Sequence, residues 1–532
     1  MIPCVIFEDY NLLVVNKPAG WNTHAPSPFA GEGIYDWLKH REPRWASLAI
    51  IHRLDKETSG VMVFGKTPLA NRSLTEQFAT RAVRKKYLLL TERAPKQSKF
   101  TAKSKIVRVG DRYASGVGGE LAETRFEIRN PKSEFKIQNE PTHVGCYQVM
   151  AEPLTGRTHQ IRVHAAENGF PILGDVLYGG RGFKRLCLHA GSLAFTHPES
   201  GKPVAFEAKL EFDKHWSELL RQAMLDPSET NAFRIAHGAT AGTPGFYLDA
   251  LGNYVLAQFD RPLHPTAETP DGFLGSYLKI LTCRVRDATK SETCPKLVHG
   301  QSAPERFEVR ENGVKFELSF NEGYSVGLFL DQRDNRRRFL TGHVAAGFPL
   351  FNSEIRNPKP EILNAFAYTC GFSVCAAKTG TRTTSLDLSK KYLEWGKRNF
   401  ALNDLNPADH DFIHGDVFDW LKRLAKKARK FDVVVLDPPT FSQSKEHGAF
   451  RAEKDYGKLV ALALPLTKAG GVLFASTNAA ALKPETFLET VTAAIRSSGR
   501  KISQQHYVPQ PPDFPVTRAE PAFLKTAWLR VV

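Results

Sequence analysis

Residues Ile51 to Val61 set the carboxylate of Asp55, with Glu57 two residues on, among basic residues, two hydroxyls and a glycine. The apolar run Val61-Met62-Val63-Phe64 follows directly, with the pattern of a buried strand. A charged residue at the mouth of a strand, on a turn that Gly60 can tighten, is placed to act as nucleophile or base. The same spacing suits a turn carboxylate paired with Arg53, and the residue types alone leave both open. A second set is spread more widely. Asn364, Phe366, Ala367, Tyr368 and Gly371 lie where a strand turns into a helix, and Asp387, Asp416 and Asp437-Pro438 follow three further strands. Ligands bind at the carboxyl ends of such strands. There Asp387 could accept both hydroxyls of a ribose, Asp416 could reach an adenine amine, and Asp437 could stand over the reacting centre.

The elements that must position these residues change along the chain. The N-terminal part reads as many short strands with turn signals and a few helices, one near Asn71 to Ala82, which is an α+β pattern. A strand over 206–212, a helix near His215 to Met224 and the polar stretch Asp226-Pro227-Ser228-Glu229-Thr230 close it. From 232 to 345 a small α+β domain is expected, with strands around Gly245 and Gly252 and an Asn312-Gly313 hairpin turn. Between Thr266 and Lys296 we expect a helix and a mobile loop. From 346 onward strand and helix alternate, the signature of a doubly wound α/β, Rossmann-like sheet. The boundaries read as 1–220, a linker at 221–231, 232–345 and 346–532.

A chain of 532 residues is too long for one core. Its net charge of +16 is compatible with solubility alone and also with a polyanionic partner. The seven cysteines are scattered, without metal-ligand spacing or a disulfide framework. No stretch approaches the ~18 apolar residues of a membrane span, and no signal peptide is apparent. A reduced, cytoplasmic protein is expected, with no metal and no membrane partner; the oligomeric state stays open.

His52-Arg53-Leu54-Asp55-Lys56-Glu57-Thr58-Ser59-Gly60 resembles the active-site motif of the RluA-type pseudouridine synthases. Leu12 to Gly20, Lys85-Lys86-Tyr87-Leu88, Leu154 to His164, Gly174 to Gly179 and Leu188-His189-Ala190 resemble further motifs of that family, in its order. The resemblance implies that Asp55 is catalytic, that Arg162 pairs with it and lowers its pKa, and that Tyr87 stacks on the uracil. No cofactor is implied. Lys86, Arg53 and Arg157, with Lys85, become candidates for RNA phosphates. His52, His159 and His164 become structural or phosphate-facing residues, His52 being kept in the RNA-binding set.

The part from about 232 to the end resembles the RlmI/RlmK-like class I methyltransferases, which use S-adenosylmethionine (SAM) on ribosomal RNA. Gly327 to Arg336 is similar to their stretch leading into the SAM fold, which adds Asp331 and Arg333 to the cofactor residues. Asp437-Pro438-Pro439-Thr440-Phe441 is similar to their fourth motif. Cys370-Gly371 stands where that family usually has two glycines. Methylation of cytosine carbon-5 needs a cysteine thiolate, which in such relatives follows a late strand. Here that stretch reads Phe474-Ala475-Ser476-Thr477-Asn478-Ala479. Carbon methylation is therefore disfavoured, and Asp437 to Phe441, which holds no cysteine, resembles the guanine-methylating branch of that family, a resemblance that implies a guanine nitrogen in ribosomal RNA as the target. The reading is a bifunctional RNA-modifying enzyme. The alternatives are a synthase whose C-terminal half only binds RNA, and a 5-methylcytosine product.

Overall fold

The computed structural model describes residues 2–134, 145–260, 269–281, 293–351, 359–444 and 448–532. Met1–His24, Gly33–Trp37 and Ser47–Asp226 form one compact unit; Ala25–Glu32, Leu38–Ala46 and Pro227–Val532 form the other. No helix of the described residues is long and apolar enough to cross a membrane.

In the first unit the apolar segments Leu12–Lys17 and Ser59–Gly65 become neighbouring central strands of an eleven-stranded mixed sheet. Ser59–Gly65 pairs parallel with Leu188–Thr196, and that strand pairs antiparallel with Arg84–Thr91. Gly60, at φ 125°, faces Ala190, and a Cβ there would lie 2.2 Å from the Ala190 carbonyl oxygen. Only glycine permits this approach. Ala190 is in turn opposite Tyr87, so the close pairing carries the turn that bears Asp55 toward the strand that bears Tyr87. The helix Pro68–Ala79 starts on Thr67, whose hydroxyl accepts from the Ala70 amide, and buries Ala70 and Leu74 against Val61 and Val63. On the other side Ile161 and Ala165 of the helix Gln160–Glu167 pack with Leu89, Val149 and Phe170. The expected strand at 206–212 is Pro203–Glu207.

The second unit begins with a five-stranded sheet in which Tyr254–Phe259 and Gly275–Ile280 run parallel. Gly275–Ile280 is a strand inside the region where a helix and a mobile loop are expected; the rest of that expectation lies mainly outside the described residues. Asn312 and Gly313 have φ 50° and 75°, as a type I′ turn requires, and join Phe307–Glu311 to Val314–Leu318. The seven-stranded sheet has the order Asp411–His414, Arg382–Asp387, Glu361–Ala365, Phe431–Leu436, Thr467–Thr477, Lys525–Val531, Ile502–Val508. Its first five strands are parallel and the last two are paired antiparallel. Alternate residues of Phe431–Leu436 serve two cores. Val433 and Val435 join one with Phe372 and Phe474; Val434 and Leu436 join another with Leu421, Leu459 and Val491. Helices thus cover both faces, and the strand ends are left to hold a ligand.

Candidate active sites

Asp55 lies on a turn closed by the Thr58 amide donating to its carbonyl at 3.1 Å. The carbonyls on either side are pinned: Thr23 Oγ1 donates to Leu54 O at 2.9 Å and Lys17 Nζ to Lys56 O at 3.1 Å. The Asp55 carboxylate opens into a cavity of about 1000 Å³ that Tyr87, His52, Arg53, Lys86, Arg157 and Arg162 also line. Burial holds the carboxyl above the ordinary carboxylate range, opposed by the nearby His159 and Arg162. Tyr87 is kept a neutral phenol by burial and by the charge of Asp55.

The expected pairing of Arg162 with Asp55 is not what the structure contains. Arg162 is held by a bidentate contact to buried Asp175, at 2.8 and 2.7 Å. Its remaining Nη1 reaches His159 Nε2 at 3.2 Å and Glu57 at 3.8 Å. His159 Nε2 lies 4.0 Å from Asp55 Oδ2, and burial holds this imidazole below its ordinary range. The expected lowering of the Asp55 pKa is corrected with it, because desolvation outweighs a guanidinium that Asp175 already occupies. Sequence reasoning set His159 aside; its place between Arg162 and Asp55, with Nδ1 2.9 Å from Tyr178 Oη, could have been sought only inside the Gly156 to Arg162 motif.

The other basic residues differ in what they have left to offer. His52 lines the cavity but is held neutral by burial, with a pKa pushed down to about 3, and its Nε2 accepts from the Val63 amide. It has no charge for a phosphate. Arg53 donates to Thr158 Oγ1 at 3.0 Å, and Arg157 is paired with Glu120.

In the second unit Phe366, Tyr368, Asp387, Asp416, Asp437 and Pro438 line a cavity of about 300 Å³, with Asp331. The loop from 366 to 370 has three non-glycine residues in the left-handed region, Phe366, Tyr368 and Cys370, at φ 63°, 50° and 63°. Strain of this kind collects at ligand sites. Asp387 steadies the loop, one oxygen accepting from the Tyr368 amide and the other from the Ser389 amide, both at 2.8 Å. Asp416 caps the helix Val417–Lys426 by accepting from the Asp419 amide. Asp437 accepts from Gln332 Nε2 at 3.2 Å. Burial pushes both Asp437 and Asp331 up to about 6, and for Asp331 the charge of Asp437 adds to it.

Four expected cofactor residues do not face this cavity. Arg333 is sequestered in a buried bidentate pair with Asp513, at 2.9 and 2.5 Å. Asn364 donates to Ser373 Oγ beneath the loop. Ala367 contributes its amide to Leu386 O, and Gly371 is backed by the Arg336 side chain. The structure adds Gln332, Phe418 and Tyr392 to the wall. Gln332 bridges Asp437 to Ser476 Oγ, and Tyr456 Oη ties the ends of the fourth and fifth strands at Leu436 O and Ser476 O. Gln332 lies within the Gly327 to Arg336 stretch, but nothing in that stretch marks it for the wall, and Phe418, Tyr392 and Tyr456 come from three further elements. The set fits a nucleoside cofactor: aromatic rings for a base, with a carboxylate at each of three strand ends.

Residues 11–167 match the RNA pseudouridylate synthase family, and residues 279–530 match the S-adenosylmethionine-dependent methyltransferase family. A ribosomal RNA large subunit methyltransferase of Deinococcus radiodurans is 31% identical over 58% of this chain and 76% of its own length. A putative one of Bacillus subtilis is 30% identical over 58% of this chain and 77% of its own. The crystal structure of a putative methyltransferase, SMU.776, complexed with SAH is 28% identical, with a TM-score of 0.51, over 59% of this chain and 79% of that one. The chain belongs to the large-subunit ribosomal RNA methyltransferase family of SAM-dependent enzymes, and carries an RNA pseudouridylate synthase domain ahead of that part.

Proposed function

We propose that the first unit isomerises uridine to pseudouridine in RNA and that the second transfers a methyl group to a guanine nitrogen, both in ribosomal RNA of the cytoplasm. The observation that carries the first half is a desolvated carboxylate, Asp55, facing a cavity walled by a neutral tyrosine. Desolvation makes the carboxylate more basic, which suits an attack on the ribose or removal of a proton from it. Tyr87 offers a flat wall to a uracil turned out of its stack, and Lys86 and Arg53 offer charge to the backbone.

In the second unit SAM supplies an electrophilic methyl group. Asp387 would hold the ribose hydroxyls, Asp416 the adenine amine, and Phe366 and Phe418 the base. Asp437 and Pro438 would hold the acceptor base in line with the methyl. Nitrogen is favoured over carbon by the thiols. Cys370 and Cys375 are buried and off the cavity wall, and burial pushes Cys370 up to about 12. A covalent attack on cytosine needs a thiolate, which such an environment disfavours. Ser476 and Asn478 occupy the fifth-strand end. Incubation with SAM and RNA containing 5-fluorocytosine tests this. No trapped protein–RNA adduct and a methylated guanine in the digest are expected; an adduct lost on mutating one cysteine contradicts it.

A further inference from the structure

The helix Pro68–Ala79 ends in a Schellman turn, in which the Ala82 amide donates to Gln77 O at 2.9 Å and the Arg81 amide to Phe78 O at 3.3 Å. This turn needs a left-handed residue after the cap, and Arg81 takes it at φ 63°. Glycine is the usual occupant because a Cβ is strained there. A long cationic side chain is a poor choice for the turn itself.

Its surroundings give the side chain a different use. Arg81, Arg84 and Lys85 all line the Asp55 cavity, Arg81 and Arg84 being exposed. Among the described residues none of the three is in an ion pair, and neither Asp55 nor Glu152 of the same cavity pairs with them. Arg81 instead acts on Lys85 as a like charge, adding to burial in holding the lysine below its ordinary range. Cations gathered without a carboxylate repel one another, and a bound polyanion removes that repulsion. Lys85 and Tyr87 are two residues apart on one strand and so share a face. Lys85 therefore stands beside the wall offered to the uracil, and Arg81 and Arg84 line the same cavity.

We propose that Arg81, Arg84 and Lys85 form a phosphate subsite on the rim of the Asp55 cavity, gripping the RNA backbone next to the turned-out uridine. This rests on reading the first unit as a uridine isomerase.

The test uses the full chain and ribosomal RNA carrying [5-³H]uridine, from cells lacking the protein. Joining C5 of the uracil to the ribose releases the C5 hydrogen to water, so tritium release reports turnover. Arg81→Gly is expected to raise KM by about five- to tenfold while kcat changes less than twofold. The dependence of log KM on log salt should become shallower by about 0.7–0.9. The unfolding midpoint should hold or rise by about 1–3 °C, because glycine fits the turn. Arg84→Gln should raise KM in the same way without touching the turn. Unchanged KM and salt dependence in both variants, or a lower midpoint with unchanged KM for Arg81→Gly, would overturn the subsite. Absence of tritium release by the wild-type protein would overturn the isomerase reading itself.

Discussion

Asp55 stands 4.0 Å from an imidazole in a cavity of about 1000 Å³ with a basic rim. Asp387, Asp416 and Asp437 stand in a cavity of about 300 Å³ among Phe366, Tyr368, Tyr392 and Phe418. The wide basic cavity suits one nucleotide of a large polyanion, with the chemistry resting on one carboxylate, Asp55. The narrow aromatic one suits a compact nucleoside gripped from several strand ends at once. A chemical step can depend on one side chain, whereas binding energy is divided among many. The two units therefore differ in how much a single substitution should remove.

The largest effect is expected from Asp55→Asn. The amide keeps shape and hydrogen bonding but is neither nucleophile nor base, so tritium release from labelled uridine should fall about a thousandfold or more. Methyl transfer by the same preparation should stay within about twofold. Asp387→Ala should act on the other unit alone. Losing a charged acceptor that also steadies the Tyr368 amide should cost about 2–4 kcal/mol of SAM affinity, read by calorimetry. The double variant should show the sum of the two.

Two buried Arg–Asp pairs sharpen the contrast. Arg162 of the Arg162–Asp175 pair lines the Asp55 cavity, whereas neither Arg333 nor Asp513 lines the Asp387 cavity. Arg162→Met and Arg333→Met should each destabilise the chain by about 3–5 kcal/mol, because each strands a buried carboxylate. Arg162→Met should in addition lower synthase kcat at temperatures where the unit is folded. Arg333→Met should leave SAM affinity within a few-fold when measured well below its unfolding midpoint.

A smaller effect follows from the carboxylates pushed up to about 6, Asp331 and Asp437. Below about pH 3.8 both folded and unfolded chains hold these protons, so nothing is lost. Between about 3.8 and 6 the unfolded chain has released them while the folded one has not, and stability falls as pH rises. Above that window the penalty is complete. Asp331→Asn should therefore stabilise the SAM-free protein at pH 8 by about 1–2 kcal/mol and leave it nearly unchanged near pH 4, measured by denaturant titration.

The legibility of the two regions follows the same division. Asp55 and its turn are contiguous in sequence, because one strand entry must carry the carboxylate and Gly60 together, whereas the groups that pin the turn, Thr23 and Lys17, come from an earlier segment. The strand ends Asp387, Asp416 and Asp437 are legible through the α/β alternation, which says where ligands bind before any contact is known. Arg333 misled because an arginine beside a motif looks available, and its partner Asp513 is 180 residues away. His159 was undervalued because isomerisation demands no imidazole, yet the Asp175 clamp on Arg162 leaves His159 as the residue facing Asp55. Gln332 and Tyr456 act through strand ends that are remote in sequence, so only the folded sheet brings them into view.

The central claim is two independent chemistries in one chain. Mass spectrometry of ribosomal RNA nucleosides tests it most directly, in cells lacking the protein and complemented with wild type, Asp55→Asn or Asp387→Ala. The account predicts that Asp55→Asn restores a methylated guanosine but no pseudouridine, and that Asp387→Ala restores pseudouridine but no methyl mark. Loss of both marks in either stably expressed variant, or restoration of 5-methylcytidine by the wild type, would contradict it.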